Sequence, residues 1–370
     1  LDRSSIPSRC ITPGLLDAVK SRLERREQVI LLVNRRGFSN FIVCRRCAWV
    51  ARCAVCQVAF IHHSPPGVPH YLLCHHCGRR AEVPSSCGRC AKGPVAFAGA
   101  GTQRVVSEIK SLLPGVRVLR LDRDTAASSG SEDHGAYRRF LDGEADILVG
   151  TKLVAKGFHF PRVTLVGIVD ADTMLQMPDF RSAERTVQFL VQAAGRAGRA
   201  DMPGEVLLQT SQPTHYAIQA AARGDYSGFS LVELGHRAAF RYPPASTLVR
   251  VVFIAKTEDA ARRAADSAAR QLRAGLGGVP GDAAPGDAAQ GASGADGELF
   301  PLPAASPASA LEEVLGPAPS VRARLHGKFR YHLLLKLDAA RLDEGLRALR
   351  ALRPSSTVRI KVNVDPYDLL

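Results

Sequence analysis

The sequence predicts an α/β architecture: a mostly parallel sheet covered by helices on both faces, interrupted by an inserted cysteine-rich module and followed by a small α+β domain. Three observations predict it. Short runs rich in Val, Ile and Leu alternate with helical stretches between Leu15 and Gln209, the pattern of strands buried on both faces. Eight of the nine cysteines fall into four C-x-x-C pairs within 47 residues. Beyond Tyr242-Pro243-Pro244 the order becomes strand–helix, a Gly/Ala/Pro/Asp-rich stretch, then strand–helix–strand.

Pro13-Gly14 precedes a helical stretch, Leu15 to Arg26, with apolar residues at helical spacing. Val29–Val33 is a short buried strand ending at Asn34-Arg35-Arg36-Gly37. The cysteine module follows, and the chain returns near Val95–Ala98. Gly101-Thr102-Gln103 opens a helix to about Leu113, stopped by Pro114-Gly115. Strands are expected at Val116–Leu121, Asp146–Val149, Val163–Val169 and Glu205–Gln209, and helices at Glu132–Leu141 and Ala183–Ala200. In the last part, Leu248–Ile254, Phe329–Leu337 and Val358–Val364 read as strands, and Thr257–Leu276 and Arg341–Leu352 as helices. Residues 277–309 have little to bury and are expected to form a flexible insertion. The expected organisation is therefore 1–43 for the start of the α/β lobe, 44–98 for the module, 99–241 for the rest of the lobe, and 242–370 for the α+β domain.

The chain has 370 residues, enough for two or three domains. No apolar run approaches the roughly 20 residues of a membrane span, so no transmembrane helix is expected. The first residues, Leu1-Asp2-Arg3-Ser4-Ser5, lack Met and a signal-peptide pattern; they read as a cut inside a longer product or an artificial start. High Ala, Gly and Arg content points to a GC-rich genome. The formal charge of +14 points to a polyanion partner, most commonly nucleic acid. Two closed Cys₄ zinc sites would add about −4 and leave about +10.

The four cysteine pairs are Cys44/Cys47, Cys53/Cys56, Cys74/Cys77 and Cys87/Cys90. Nothing indicates secretion, so a disulfide framework is the poorer reading. A C-x-x-C knuckle sets two sulfurs on one side of a tight turn, and two knuckles complete a closed site without a position for water, which is structural zinc. Two zinc ions are expected; iron–sulfur clusters and thiol redox chemistry are the rivals. Spacing does not fix which knuckle pairs with which. Five residues between Cys47 and Cys53 are tight for one site, which favours a nested arrangement of outer with outer and inner with inner pairs. Cys10 is unpaired and expected to be an ordinary semi-buried thiol. His62, His63 and His70, between the second and third knuckles, and His75 and His76, inside the third, read as surface or supporting residues. Trp49, Phe60 and Tyr71 could stack on bases, but at least two are expected in the mini-core a small zinc domain needs.

Two further segments carry ATPase-type chemistry. Ile147–Val149 ends in Gly150-Thr151 and a turn, then runs through Lys152 to Lys156-Gly157-Phe158-His159-Phe160. In a parallel sheet, ligands sit at this carboxyl edge of the strands. Gln192-Ala193-Ala194-Gly195-Arg196-Ala197-Gly198-Arg199 closes a helix with two arginines three residues apart on one side. Their planar forks suit bidentate phosphate contact.

The second segment resembles motif VI of superfamily 2 helicases, and the first resembles motif V as it occurs in the PriA family of replication-restart helicases. Asn34-Arg35-Arg36-Gly37, the four knuckles, Leu121–Thr125, Asp170-Ala171-Asp172, Asp179–Arg185, Leu315-Gly316-Pro317 and Asp365-Pro366 are similar to that family too. The resemblance implies the C-terminal half of a 3′→5′ ATP-dependent DNA helicase, its lobe being the second, RecA-like helicase lobe. It implies that Arg199 is the arginine finger, that Arg196 sits beside it, and that Gln192 helps couple them. It implies that Thr151, Lys156 and Gly157 line the DNA and nucleotide side, and that the C-terminal domain helps bind DNA. It pairs Cys44, Cys47, Cys87 and Cys90 around one zinc ion, and Cys53, Cys56, Cys74 and Cys77 around the other. Branched and single-stranded DNA, the single-strand-binding protein and primosome loading proteins are the implied partners, in the cytoplasm at the nucleoid.

Lys152 stands where Gln is expected, and Phe158 where the family often has His. The motor segments contain no G-x-x-x-x-G-K-[S/T] phosphate loop and no D-E-x-x box. ATP and Mg²⁺ would be bound only together with a first lobe that supplies them, so the chain alone is expected to be inactive. The alternative is a non-catalytic DNA-binding primosome scaffold with a degenerate motor. A zinc-ribbon protein of transcription or translation would explain the cysteines but not the paired arginines.

Overall fold

The structure, a computed structural model, describes residues 10–33, 41–44, 46–65, 67–91, 93–97, 102–121, 132–151, 160–195, 203–276, 313–367 and 369. The expected insertion at 277–309 lies outside them. The chain divides into two compact units. The first comprises Leu1–Ser39, Ala98–Leu175 and Ser182–Tyr226; the second comprises Asn40–Phe97, Gln176–Arg181 and Ser227–Leu370.

Strand β1 (Gln28–Leu32) is buried along its whole length and apolar from Val29 onward. Apolar on both sides, it needs cover on both sides, and it becomes the central strand of a parallel sheet. Its neighbours are β8 (Ile147–Gly150) and β9 (Val163–Ile168); β7 (Val118–Leu121) and β10 (Glu205–Leu208) close the edges in the order β10-β9-β1-β8-β7. Every pairing is parallel. Val29, Leu31, Ile147, Val149 and Leu165 pack on one face with Leu15 and Val19 of the helix Pro13–Glu24 and Val105 and Ile109 of the helix Thr102–Leu112. Thr12 starts the first of these helices by accepting the Leu15 amide (3.4 Å), and Pro13 fits the first turn, whose amide needs no partner. Ile30, Leu32, Leu148, Val166 and Ile168 are buried as well.

The second unit is built on an antiparallel sheet in the order β12-β13-β11-β14. Its strands are β11 (Thr247–Ala255), β12 (Val314–Leu325), β13 (Lys328–Leu337) and β14 (Arg359–Val364). Alternation along β11 decides both faces. Val249, Val251 and Phe253 join the helices Glu258–Gly275 and Leu342–Ala351 in one core. Leu248, with Leu315 and Leu334, packs instead against Cys53, Cys56, Cys74, Phe60 and Leu72 of the cysteine module. The module itself holds a two-stranded ladder, β2 (Ile42–Cys44) with β6 (Val95–Phe97). Its other sheet is three-stranded: β3 (Ile61–His63), β4 (Tyr71–Leu73) and β5 (Arg80–Glu82). By sequence the module interrupts the first unit, but it packs as one face of the C-terminal sheet.

Gly167, inside β9, lies where a helix and a neighbouring strand approach its backbone closely. A Cβ there would stand 2.7 Å from Leu31 Cδ2 and 2.9 Å from Leu15 Cδ1. Gly167→Val should lower the stability of this unit by about 1–3 kcal/mol, read from urea unfolding by circular dichroism, with metal content unaltered. An unchanged midpoint would mean that Leu15 and Leu31 yield freely.

Candidate functional site

Each cysteine knuckle repeats one backbone plan. The amide of the residue after the second cysteine donates to the carbonyl of the first: Ala48 to Cys44 (3.0 Å), Gln57 to Cys53 (2.8 Å), Gly78 to Cys74 (2.9 Å) and Ala91 to Cys87 (3.0 Å). All four residues have left-handed φ, between +54° and +79°. The first cysteine's amide then donates to the carbonyl of the following stretch: Cys44 to Trp49, Cys53 to Val58, Cys74 to Arg79 and Cys87 to Gly93. Such a turn brings both sulfurs to one side while satisfying the backbone it bends. Only Gly78 avoids the steric cost that the other three meet in the left-handed region.

The sulfurs gather in two sets: Cys44, Cys47, Cys87 and Cys90, and Cys53, Cys56, Cys74 and Cys77. Sulfur–sulfur distances are 3.8 Å for Cys44–Cys90, 3.5 Å for Cys47–Cys87 and 3.7 Å for Cys53–Cys77. A tetrahedral ion with Zn–S bonds near 2.3 Å sets sulfurs about 3.8 Å apart, whereas a disulfide needs about 2.05 Å. The geometry and the all-sulfur donors fit metal ions and are consistent with zinc. In the second set, hydrogen bonds from Cys56, Cys74 and Cys77 hold the Cys53 thiol well below its ordinary pKa, while Cys56 and Cys74 are pushed well above theirs. A divalent ion lets the sulfurs of such a set ionise together.

Close support comes from residues with no cysteine character. At Gly93 a Cβ would lie 2.3 Å from Cys44 Sγ and 3.0 Å from Cys90 Sγ. The buried Tyr242 hydroxyl lies 3.1 Å from the Cys56 carbonyl and 3.0 Å from His76 Nδ1. His76 Nε2 is 3.1 Å from the Pro178 carbonyl, and the Phe180 ring stacks on Tyr242 at 4.6 Å. Of the module's histidines, His62, His75 and His76 are buried, not on the surface. Burial lowers the pKa of both His75 and His76 to about 4. His75 Nδ1 bonds the Pro319 carbonyl (2.9 Å), and its Nε2 faces His63 Nε2 at 3.1 Å. Phe60 and Trp49 join the module's core, whereas Tyr71 lies between His63 and Arg80. Cys10 is half-buried, and burial pushes its thiol up to about 11.

Two of the residues expected to serve the motor are described. Thr151 follows β8 and is buried; Gln192 lies exposed on the helix Ser182–Ala194. Lys156, Gly157, Arg196 and Arg199 lie outside the described residues, as do Lys152, Phe158, Asn34–Gly37 and Asp122–Thr125. Beyond β9, Asp170 accepts the Thr173 amide (3.0 Å) and hydroxyl (2.5 Å). Burial raises its carboxyl above the usual range. Asp172 accepts the Thr210 hydroxyl (2.5 Å) and the Ser211 amide (2.7 Å) and hydroxyl (2.5 Å). Gln209 accepts from the Thr12 amide and donates to the carbonyls of Cys10 and Val169. These bonds fix the loops at the sheet's carboxyl edge and occupy both carboxylates.

Two family models match the chain. The helicase conserved C-terminal domain covers residues 98–201, and the primosomal protein N C-terminal domain covers residues 238–367. The replication restart protein PriA of Bacillus subtilis is 35% identical over 96% of the chain and 40% of its own length. That of Haemophilus influenzae is 33% identical over 97% of the chain and 45% of its length. The Treponema pallidum protein is 34% identical over 97% and 50%. The chain belongs to the PriA family. It spans between 40% and 50% of the length of these relatives. Its parallel sheet is a RecA-like C-terminal helicase lobe, and its closing antiparallel sheet lies within the PriA-family C-terminal domain. Among the described residues, no helix is long and apolar enough to cross a membrane.

Sequence reading missed Gly93, Tyr242 and the left-handed residues after each knuckle. Only Gly78 carried a legible signal, a glycine directly after a C-x-x-C pair. Gly93→Ala should force Cys44 and Cys90 apart and cut bound metal from about two ions per chain toward one, measured by elemental analysis. Retention of both would show that the Cys44 set tolerates the methyl group.

His332 is 1% exposed, with Nδ1 3.2 Å from Ser320 Oγ. Burial, then the nearby Arg250, hold its pKa well below the ordinary imidazole value. Its pKa is lower folded than unfolded, so unfolding takes up a proton. Its contribution is full above about pH 6.5 and is lost as pH falls below that, by up to about 1.4 kcal/mol per pH unit. The variant His332→Gln should lose urea-derived stability less steeply than the unaltered chain as pH falls below about 6.5, the remaining slope coming from His75 and His76.

Proposed function

We propose that this chain is the second motor lobe, zinc module and C-terminal domain of an ATP-dependent 3′→5′ DNA helicase that restarts stalled replication. The observation that carries the reading is the continuous match to replication restart proteins over 96–97% of the chain, spanning both units. In this reading Arg199 acts as the arginine finger on the γ-phosphate with Arg196 beside it, and Gln192 couples the pair to the lobe. Thr151, Lys156 and Gly157 line the nucleotide and DNA side. ATP and Mg²⁺ are held by a first lobe, because the motor segments of this sequence contain no phosphate loop. Two zinc ions, one in each cysteine set, hold the module's folded shape and do no chemistry. The formal charge of +14 favours a polyanion such as DNA. The likeness to replication restart proteins supports forked and single-stranded DNA as the substrate, with the single-strand-binding protein and primosome loading proteins as partners at the nucleoid.

The purified chain should bind a model fork, followed by fluorescence anisotropy, with affinity falling steeply as salt rises, and should hydrolyse no ATP. Robust DNA-stimulated hydrolysis by the chain alone would overturn the division of labour between lobes. In the complete gene product, Arg199→Ala should reduce strand displacement by about 10³-fold or more while fork binding persists. Fork binding with no strand displacement in the unaltered gene product would establish a scaffold instead.

A further inference from the structure

Four thiolates around one divalent ion carry a formal charge of about −2. The second cysteine set brings that charge into a hydrophobic core, where Cys53, Cys56 and Cys74 pack among Leu248, Leu315 and Leu334. The first set is more open, with Cys47 and Cys90 only half-buried. A dianion in low dielectric is costly unless positive charge stands close by.

The sheet face that receives the second set carries two buried cations. Val249, Val251, Leu333 and Leu335 face the helices, so alternation turns Leu248, Arg250, Leu334 and Lys336 toward the cysteine module. Arg250 is 4% exposed and Lys336 is 2% exposed. The Lys336 ammonium donates to the Phe240 carbonyl (2.6 Å) and lies 3.8 Å from the centre of the Tyr242 ring. Tyr242 in turn reaches the Cys56 carbonyl through its hydroxyl. Among the described residues no carboxylate pairs with Lys336. The buried Asp179 of the same unit is held by the Arg181 and Leu369 amides and stands 4.0 Å from the Arg181 guanidinium. Burial pulls the lysine's pKa down to about 8, and the Cys56, Cys77 and Cys74 sulfurs push against that fall. A lysine buried without a carboxylate, one tyrosine away from a thiolate cage, is placed as that cage's counter-charge.

We propose that Lys336 is the counter-cation of the Cys53–Cys56–Cys74–Cys77 site, so that one of the two metal ions is retained through a charge supplied by the C-terminal domain. The proposal rests on the reading that both sets hold zinc. The Tyr242 ring seats the ammonium, its hydroxyl steadies the Cys56 knuckle, and Arg250 adds a second charge from the same face.

The test uses the full chain with two zinc ions, challenged with excess chromophoric chelator, and compares release with Lys336→Met, Lys336→Gln and Lys336→Arg. The glutamine can still donate to the Phe240 carbonyl but carries no charge. One release phase should accelerate about 10- to 100-fold in Lys336→Met and Lys336→Gln and return toward the original rate in Lys336→Arg, the other phase staying fixed. Cadmium-113 spectra, with one resonance per site, should assign the altered phase to the Cys53 set. A Lys336→Gln chain that releases both ions at the original rates would overturn the proposal, because packing and the hydrogen bond alone would then suffice. If Lys336→Met does not fold, the comparison of glutamine with arginine still decides. An unaltered chain that binds no zinc would overturn the zinc reading itself; two bound ions with charge-independent release would overturn only the role of Lys336.

Discussion

The second unit depends on placing four sulfur atoms inside a hydrophobic core. Cys53, Cys56 and Cys74 touch the same neighbours as Leu248, Leu315 and Leu334, so the ligand cage and the apolar packing are one assembly. A module of about 55 residues builds only a marginal core of its own and gains from a metal or a partner surface. The cage draws its strands into place, and the C-terminal sheet offers the surface they close upon. A metal ion bound by this set would therefore be coupled to folding of the unit.

The first unit solves a different problem with ordinary means. Its apolar strands need cover on both faces, and the parallel sheet leaves its carboxyl edge for loops. Those loops are tied by short polar contacts: Asp172 to Thr210 and Ser211, Asp170 to Thr173, and Gln209 to Thr12. Asp170 and Asp172 carry a motor-like sequence, yet their oxygens face the lobe's own hydroxyls and amides.

The strands of both sheets were legible where alternation or continuous apolar runs were strong. Val163–Ile168 and Arg359–Val364 fall within one residue of the expected bounds, and the helix Glu258–Gly275 lies within the expected span, capped by Thr257. Strand β12 was not legible. Gly316, Pro317 and Pro319 interrupt its pattern, and proline normally argues against a strand. It is tolerated here because β12 is an edge strand of its sheet. The helices Tyr216–Arg223 and Tyr226–Ala239 escaped for other reasons. The first is a short, Ala-rich stretch, and in the second apolar residues reach the surface, with Leu231 75% exposed. At the cysteines, composition announced the ligands but not their support. Tyr242, Lys336 and Gly93 lie from 3 to 246 positions along the chain from the cysteines nearest them in sequence, and only folding assembles them around the sulfurs.

The short segment Gln176–Arg181 has a wider consequence. It leaves the first unit to lie in the second, where Asp179, Phe180 and Pro178 hold Leu369, Tyr242 and His76, and then returns. With the cysteine module making the same excursion earlier, the chain passes between the units five times. Neither unit is an uninterrupted stretch of sequence. Gene fusion or recombination at one breakpoint therefore cannot exchange either of them intact. Exchange of either unit as a block would need several coordinated breakpoints, so the cysteine sets and the parallel-sheet lobe are tied together in inheritance.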